Sequence, residues 1–151
     1  MKPFKFEQAT TAVQASQTHA DAAPNARFIS GGTDILGEIK ESVLEVNILV
    51  SLAGLSGASE IISSDVGLEI GALVTLARIA SDRSIVETYP ALAQAAQSVA
   101  TPQIRNVGTL GGNLCQRPRC WYYRSPLFDC LKKGGVTCFA SDEGNKYHAI
   151  L

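Results

Sequence analysis

The chain has 151 residues, 46% hydrophobic and 18% charged, with a formal net charge of −1. Apolar content this high with so little net charge excludes intrinsic disorder, and no run of about 18 apolar residues exists to span a bilayer. The near-neutral balance gives no electrostatic case for nucleic acid, and the basic start Met1-Lys2-Pro3-Phe4-Lys5 is interrupted at once by Glu7, Gln8 and Thr10, unlike a signal peptide.

Phe4-Lys5-Phe6 reads as a short edge strand. A small-residue helix follows from Thr10 or Thr11 to His19, with a threonine N-cap. Pro24 breaks the chain before a second strand, Arg27-Phe28-Ile29-Ser30. Thr33-Asp34 opens a helix on which Ile35, Leu36 and Ile39 recur at helical spacing. Val46-Asn47-Ile48-Leu49-Val50 is β-branched and nearly all apolar, as a buried strand is. This β-α-β-α-β order predicts a small parallel sheet. Gly, Ser and Ala cluster at residues 54–58, so the chain divides into lobes 1–55 and 56–151. Ile61-Ile62 and Leu68-Glu69-Ile70 flank a polar turn at 63–67 and predict an antiparallel hairpin. Helices are predicted over 73–80 and 90–100. Pro90 suits the first helical position, and Ala91, Ala93, Ala95, Ala96 and Ala100 give the second helix a small-residue surface. Thr101-Pro102 ends it.

Two glycine segments stand out. Ser30-Gly31-Gly32-Thr33-Asp34 lies between a strand and a helix, where unpaired N–H groups form a natural seat for phosphate. It is neither a Walker A loop nor G-x-G-x-x-G. Asp34 is anionic and must turn away from a phosphate, for instance to cap the helix. A plain strand-to-helix turn is the bland alternative. Gly108-Thr109-Leu110-Gly111-Gly112-Asn113 reads as a second loop, and two such loops can hold two parts of one elongated ligand. The bland alternative there is a bend or bulge near a strand end.

All four cysteines, Cys115, Cys120, Cys130 and Cys138, fall between residues 115 and 138. Arg117, Arg119, Arg124, Lys132 and Lys133 stand there against Asp129 alone, a local charge of +4 that leaves −5 for the rest. The spacing lacks the C-x2-C pairs of zinc ribbons, and disulfides would need an oxidising compartment. Zinc, an anionic iron–sulfur cluster compensated by the cations, and a cationic loop with unrelated thiols all remain open. Trp121, Tyr122, Tyr123 and Phe128 are positioned in sequence to shield a cluster from water. His19 and His148 read as surface residues.

Three stretches together resemble the FAD-binding domain of molybdenum hydroxylases, the family of xanthine dehydrogenase and carbon monoxide dehydrogenase medium subunits. They are Phe28-Ile29-Ser30-Gly31-Gly32-Thr33-Asp34-Ile35-Leu36, Gly67-Leu68-Glu69-Ile70-Gly71-Ala72 and Gln103-Ile104-Arg105-Asn106-Val107-Gly108-Thr109-Leu110-Gly111-Gly112-Asn113-Leu114. The resemblance implies an α+β, two-lobed FAD-binding fold, with a small parallel β/α lobe (1–55) followed by an incomplete antiparallel-sheet lobe (56–151) that carries a cysteine-rich insertion at 115–138. It implies that Ile29 and Ser30 to Ile35 hold the pyrophosphate. Thr101, Gly108 and Thr109 to Asn113 would hold the other side of the dinucleotide. No catalytic acid or base is required.

Gln116-Arg117-Pro118-Arg119-Cys120 is similar to the FAD subunits of bacterial periplasmic aldehyde oxidoreductase and hydroxybenzoyl-CoA reductase, which carry a [4Fe–4S] cluster. That similarity implies Cys120, Cys130 and Cys138 as ligands, with the fourth expected beyond Leu151. Cys115 falls where the relatives have no required cysteine, outside the matched ligand set. The resemblance further implies that the chain is an N-terminal fragment or truncated product. Its partners would be a molybdenum-cofactor large subunit that oxidises an aldehyde or heteroaromatic substrate and a small subunit with [2Fe–2S] clusters. Electrons would pass from those clusters through FAD to an external acceptor. With no signal of its own, the expected location is cytoplasmic, or periplasmic by co-export with a partner. The rival expectation is a non-catalytic scaffold whose cysteines form a zinc clip.

Overall fold

The computed structural model describes residues 2–141 together with Lys146 and His148. Three parallel strands, β1 (Lys5–Gln8), β2 (Ala26–Ile29) and β3 (Ile48–Ser51), form a sheet in the order β1-β3-β2. Lys5 pairs with Ile48 on one side of β3 and Ala26 with Ile48 on the other. Helices α1 (Ala12–Asp21) and α2 (Ile35–Lys40) make the crossovers. Thr11 caps α1, its side chain accepting from the Gln14 N–H at 3.1 Å.

The central strand explains the apolar run in the sequence. Ile48 and Val50 pack with Ala9, Ala15 and Ala26 in one cluster, whereas Leu49 packs with Ile29, Ile39 and Val46 in another. A strand covered on both faces has no polar face to alternate with.

The antiparallel pair β4 (Ile61–Ser64) and β5 (Gly67–Ile70) follows, with Ile61 opposite Ile70. The turn is tighter than expected. Ser63 and Ser64 belong to β4, and Gly67, with φ +140°, belongs to β5. Only Asp65 and Val66 remain to reverse the chain. The hairpin contributes Ile61, Leu68 and Ile70 to a third core. Its buried centre is Val74, Leu76, Ile79, Ile85, Ala93 and Ala96.

That core is assembled by α3 (Leu76–Ser81), α4 (Arg83–Thr88) and α5 (Pro90–Ser98). The expected helix over 73–80 starts at Leu76, because Thr75 caps it on the Arg78 N–H. Helix α4 has no counterpart in the sequence reading. It has six residues, of which Ile85 is the buried one, too few for a helical period to show. Asp82 starts it by accepting from the N–H groups of Ser84 and Ile85, and these bonds, with the Ser84 hydroxyl foremost, hold its carboxyl below the usual range. The helix predicted to reach residue 100 ends at Ser98, and Ala100 takes a positive φ of 44°. The alanine surface does what its small side chains permit: Ala93 and Ala96 of α5 pack against α3.

Two further short helices occupy the stretch expected to be loop. Thr101 caps α6 (Pro102–Val107), and Thr109 caps α7 (Leu110–Leu114) by accepting from the Gly112 N–H at 3.2 Å. Glycines are poor helix formers, so tertiary bonds supply the order. The Leu110 and Gly111 N–H groups donate to the carbonyls of Val74 and Ala72, each at 2.8 Å. The second glycine segment is therefore a capped helical turn docked on the core, neither an open loop nor a bulge. Helix α8 (Trp121–Arg124) and a 3-10 turn (Leu131–Lys133) complete the described elements.

Candidate functional site

The two glycine segments meet. Ser30 and Gly31 leave the end of β2 and run against the end of α6. A Cβ on Gly31 would lie 1.8 Å from the Val107 carbonyl oxygen, so only glycine allows this approach. Beside it, the hydroxyls of Ser30 and Thr109 share a hydrogen bond of 2.9 Å across 79 residues of sequence. Gly32 follows with φ +72°, a conformation that favours glycine. Among the described residues, the backbone N–H groups of Gly31, Gly32 and Thr33 donate to no protein acceptor. Three free donors in a turn form an anion seat.

These residues line one wall of a cleft of about 530 Å³, a volume typical of ligand sites. Ser30, Gly31, Gly32, Thr33, Asp34, Ile35, Thr109 and Gly112 all line it. The other expected positions do not. Ile29 is buried at the end of β2, Leu110 packs on the third core, and Thr101 caps α6. Gly108 and Gly111 hold the segment in place: the Gly108 carbonyl accepts from Leu76 N–H at 2.9 Å, and Gly111 abuts Ala72. Asn113 lies within α7.

The opposite wall comes from residues 115–133, with Cys115, Gln116, Arg117, Tyr123, Lys132 and Lys133. Ion pairs hold it there. Asp34 stands at the N-cap of α2 but does not cap it. Its Oδ2 accepts from the Arg117 backbone N–H at 2.8 Å and its Oδ1 from Arg124 Nη2 at 2.6 Å, with Arg119 Nη1 at 3.5 Å. This corrects the expectation of a helix cap. The anionic side chain that seemed to oppose a phosphate is already matched by guanidinium groups. Arg124 also donates to the carbonyls of Pro118 and Arg117 at 2.8 and 2.9 Å, and its Nη1 lies 3.5 Å from Glu38 Oε1.

Glu38 is 4% exposed, faces the cleft, and its Oε1 has no hydrogen-bond partner among the described residues. Arg124 supplies its countercharge at 3.5 Å, and the oxygen retains the capacity to accept a hydrogen bond. Tyr123 sits nearby. Burial first, then the Glu38 carboxylate as hydrogen-bond acceptor and as charge, push its phenol up to about 12. Sequence reasoning missed Glu38 and assigned Tyr123 to a cluster shield. The signal for Glu38 lay in the basic window, whose Arg124 pairs with it.

The cysteines do not converge. Cys130 is buried, Cys115 and Cys138 are exposed, and Cys120 Sγ lies 3.2 Å from His148 Nδ1. Among the described residues no three His, Cys, Asp or Glu side chains gather as a metal site would require, so the thiols as arranged do not fit a cubane. The ligand expected beyond Leu151 lies outside the described residues. The aromatics also differ from a shield: Trp121 is 67% exposed, and Tyr122 packs on Phe128, Phe139 and His148. The histidines expected at the surface are half-buried, His148 stacked on Tyr122 and His19 on Phe28. Among the described residues no helix is long and apolar enough to cross a membrane.

A family model described as the FAD binding domain in molybdopterin dehydrogenase matches residues 2–122. The aldehyde oxidoreductase FAD-binding subunit PaoB of Escherichia coli K12 is 35% identical over 153 residues, covering 100% of this chain and 48% of PaoB. The xanthine dehydrogenase FAD-binding subunit of Escherichia coli O157:H7 is 34% identical, covering 73% of this chain and 38% of its own. Among solved structures, quinoline 2-oxidoreductase from Pseudomonas putida 86 superposes with a TM-score of 0.71 at 34% identity, over 76% of this chain and 40% of that one. The chain spans at most about half the length of these relatives.

Proposed function

The chain belongs to the family of FAD-binding domains of molybdopterin dehydrogenases, and from that premise we propose that it is the FAD-holding, electron-transferring part of a molybdenum hydroxylase. Its partners in this reading are a molybdenum-cofactor subunit that oxidises an aldehyde or heteroaromatic substrate and a small subunit with [2Fe–2S] clusters. An external acceptor takes the electrons. The same reading puts the boundary between the two flavin-binding lobes at residue 55.

The observation that carries it is the cleft: free N–H groups at Gly31, Gly32 and Thr33, with Thr109 and Gly112 beside them and Glu38, ion-paired to Arg124, on the same cleft. The N–H groups fit an anionic pyrophosphate, and the Glu38 oxygen can accept from a hydroxyl. When bound, FAD supplies the redox chemistry. The protein's part is to bind, orient and insulate. Gly31, Gly32 and Thr33 present N–H donors to the pyrophosphate. The Ser30–Thr109 bond joins the two glycine segments, and Asp34 fastens the opposite wall through Arg124. The reading includes no iron–sulfur cluster on this chain: among the described residues no three His, Cys, Asp or Glu side chains gather.

The test is flavin titration of the purified chain and two variants. Gly32→Ala carries the positive-φ strain alone, whereas Gly32→Asp adds a negative charge beside the phosphates. Gly32→Asp is expected to lose FAD binding while unfolding cooperatively, and Gly32→Ala to retain part of it. Equal FAD affinity in Gly32→Asp and the parent would refute the assignment.

A further inference from the structure

We propose that Arg117 and Lys132 form a cationic clamp for the phosphates of the nucleotide seated on Gly31, Gly32 and Thr33. The proposal rests on the flavin reading and deepens it. It assigns ligand contacts to the cysteine-bearing segment, part of which, Lys132 included, lies beyond the family match at residues 2–122.

The charges around the cleft are unequally matched. Asp34 and Glu38 are engaged by Arg124, with Arg119 also near Asp34. Four basic residues that line the cleft, Arg27, Arg117, Lys132 and Lys133, have no carboxylate partner among the described residues; Arg27 and Lys133 donate to backbone carbonyls instead, which leaves the side chains of Arg117 and Lys132. Both are exposed side chains on the rim of the cleft that holds the three unpaired N–H groups, so each is free to turn toward an anion seated there. A pyrophosphate answers that arrangement: it carries the opposite charge and offers acceptor oxygens to a forked guanidinium and to an ammonium.

The backbone beneath the cations is fixed. The Arg117 N–H donates to Asp34 and its carbonyl accepts from Arg124. Lys132 sits in the 3-10 turn beside Lys133, whose Nζ donates to the Ser125 carbonyl. Truncating the Arg117 and Lys132 side chains leaves all of these bonds in place, so their contribution to a ligand can be measured apart from the wall itself.

The test compares the full chain with its Arg117→Ala/Lys132→Ala variant, titrating FAD, riboflavin and inorganic pyrophosphate at low and high salt. A thermal melt confirms that both are folded. FAD and pyrophosphate affinities should fall about ten-fold or more, as loss of charge-assisted bonds requires. Riboflavin, which has no phosphate, should be unaffected, and FAD binding by the variant should depend less on salt. Arg117→Lys/Lys132→Arg should restore most of the FAD affinity. A fall in FAD affinity below about three-fold, or an equal fall for riboflavin, would overturn the clamp. Should the parent bind no flavin, the flavin reading fails by itself. The clamp is then supported if pyrophosphate binds and weakens in the variant, and overturned if the parent binds no pyrophosphate.

Discussion

Replacing Gly31 by alanine sets a methyl group against a backbone carbonyl that no side-chain rotation can move. The added Cβ lies 1.8 Å from the Val107 oxygen and 2.7 Å from its carbon, where ordinary contact begins near 3.4 Å. The two glycine segments must therefore part by about 1.6 Å, the difference between those values. Overpacking of this kind costs about 1–3 kcal/mol. The same displacement stretches the 2.9 Å Ser30–Thr109 bond beyond hydrogen-bonding range, adding about 1 kcal/mol. The expected loss is about 2–4 kcal/mol, which for a chain of this size lowers Tm by about 4–16 °C. Thermal and urea unfolding followed by circular dichroism measure it, and FAD titration should show weakened binding. Gly37 is the control. It lies exposed in α2 with nothing within 4 Å of an added Cβ, so Gly37→Ala should stabilise by about 0.5–1 kcal/mol. A Gly31→Ala variant within about 0.5 kcal/mol of the parent would refute the close approach on which the site is built.

Arg124→Met leaves the buried Glu38 carboxylate without its countercharge and releases Asp34, and should cost about 3 kcal/mol in urea unfolding. Adding Glu38→Gln should recover part of that loss, and a cost below about 1 kcal/mol would show that the pairs do not hold the wall. Tyr123 keeps its proton to about 12 against an ordinary 10.0. Because the neutral phenol is favoured in the folded chain, its contribution is complete below pH 10 and is lost as pH rises towards 12. A spectrophotometric phenolate titration should show a late tyrosine that Tyr123→Phe lacks, and Tyr123→Phe should have the flatter stability profile over that window. Anaerobic reconstitution of the 151-residue chain should yield iron and sulfide well below four per chain; a stable stoichiometric cluster would contradict the arrangement of the thiols.

Local patterns sufficed for much of the architecture. The apolar run at Ile48-Leu49-Val50, the threonine at position 11 and the alternation around Ile61 and Leu68 each reflect forces acting within a few residues, namely burial, capping and pairing. The glycines of the family resemblance were legible as residues but not as contacts: Gly32 serves a local positive φ, whereas Gly31 is required by Val107, 76 residues away. The sequence also made plain that Arg117, Arg119, Arg124, Lys132 and Lys133 are concentrated in one segment.

What those cations face was decided only by tertiary structure. Asp34 and Arg124 are 90 residues apart and make a 2.6 Å pair, and no local rule connects them. The concentration of cysteine beside positive charge suggested an anionic cluster as the object of the arginines. In the folded chain Arg124 faces the Asp34 and Glu38 carboxylates at and just after the start of α2, with Arg119 near Asp34, and among the described residues no three metal-binding side chains gather. The helices at Arg83–Thr88, Pro102–Val107 and Leu110–Leu114 were hidden for a related reason. They are too short for a period to appear in the sequence, and Leu110–Leu114 is held by bonds to Ala72 and Val74. Charge and glycine content belong to the sequence; which charge meets which, across 80 or 90 residues, belongs to the packing that brings α2, α7 and the cysteine segment together.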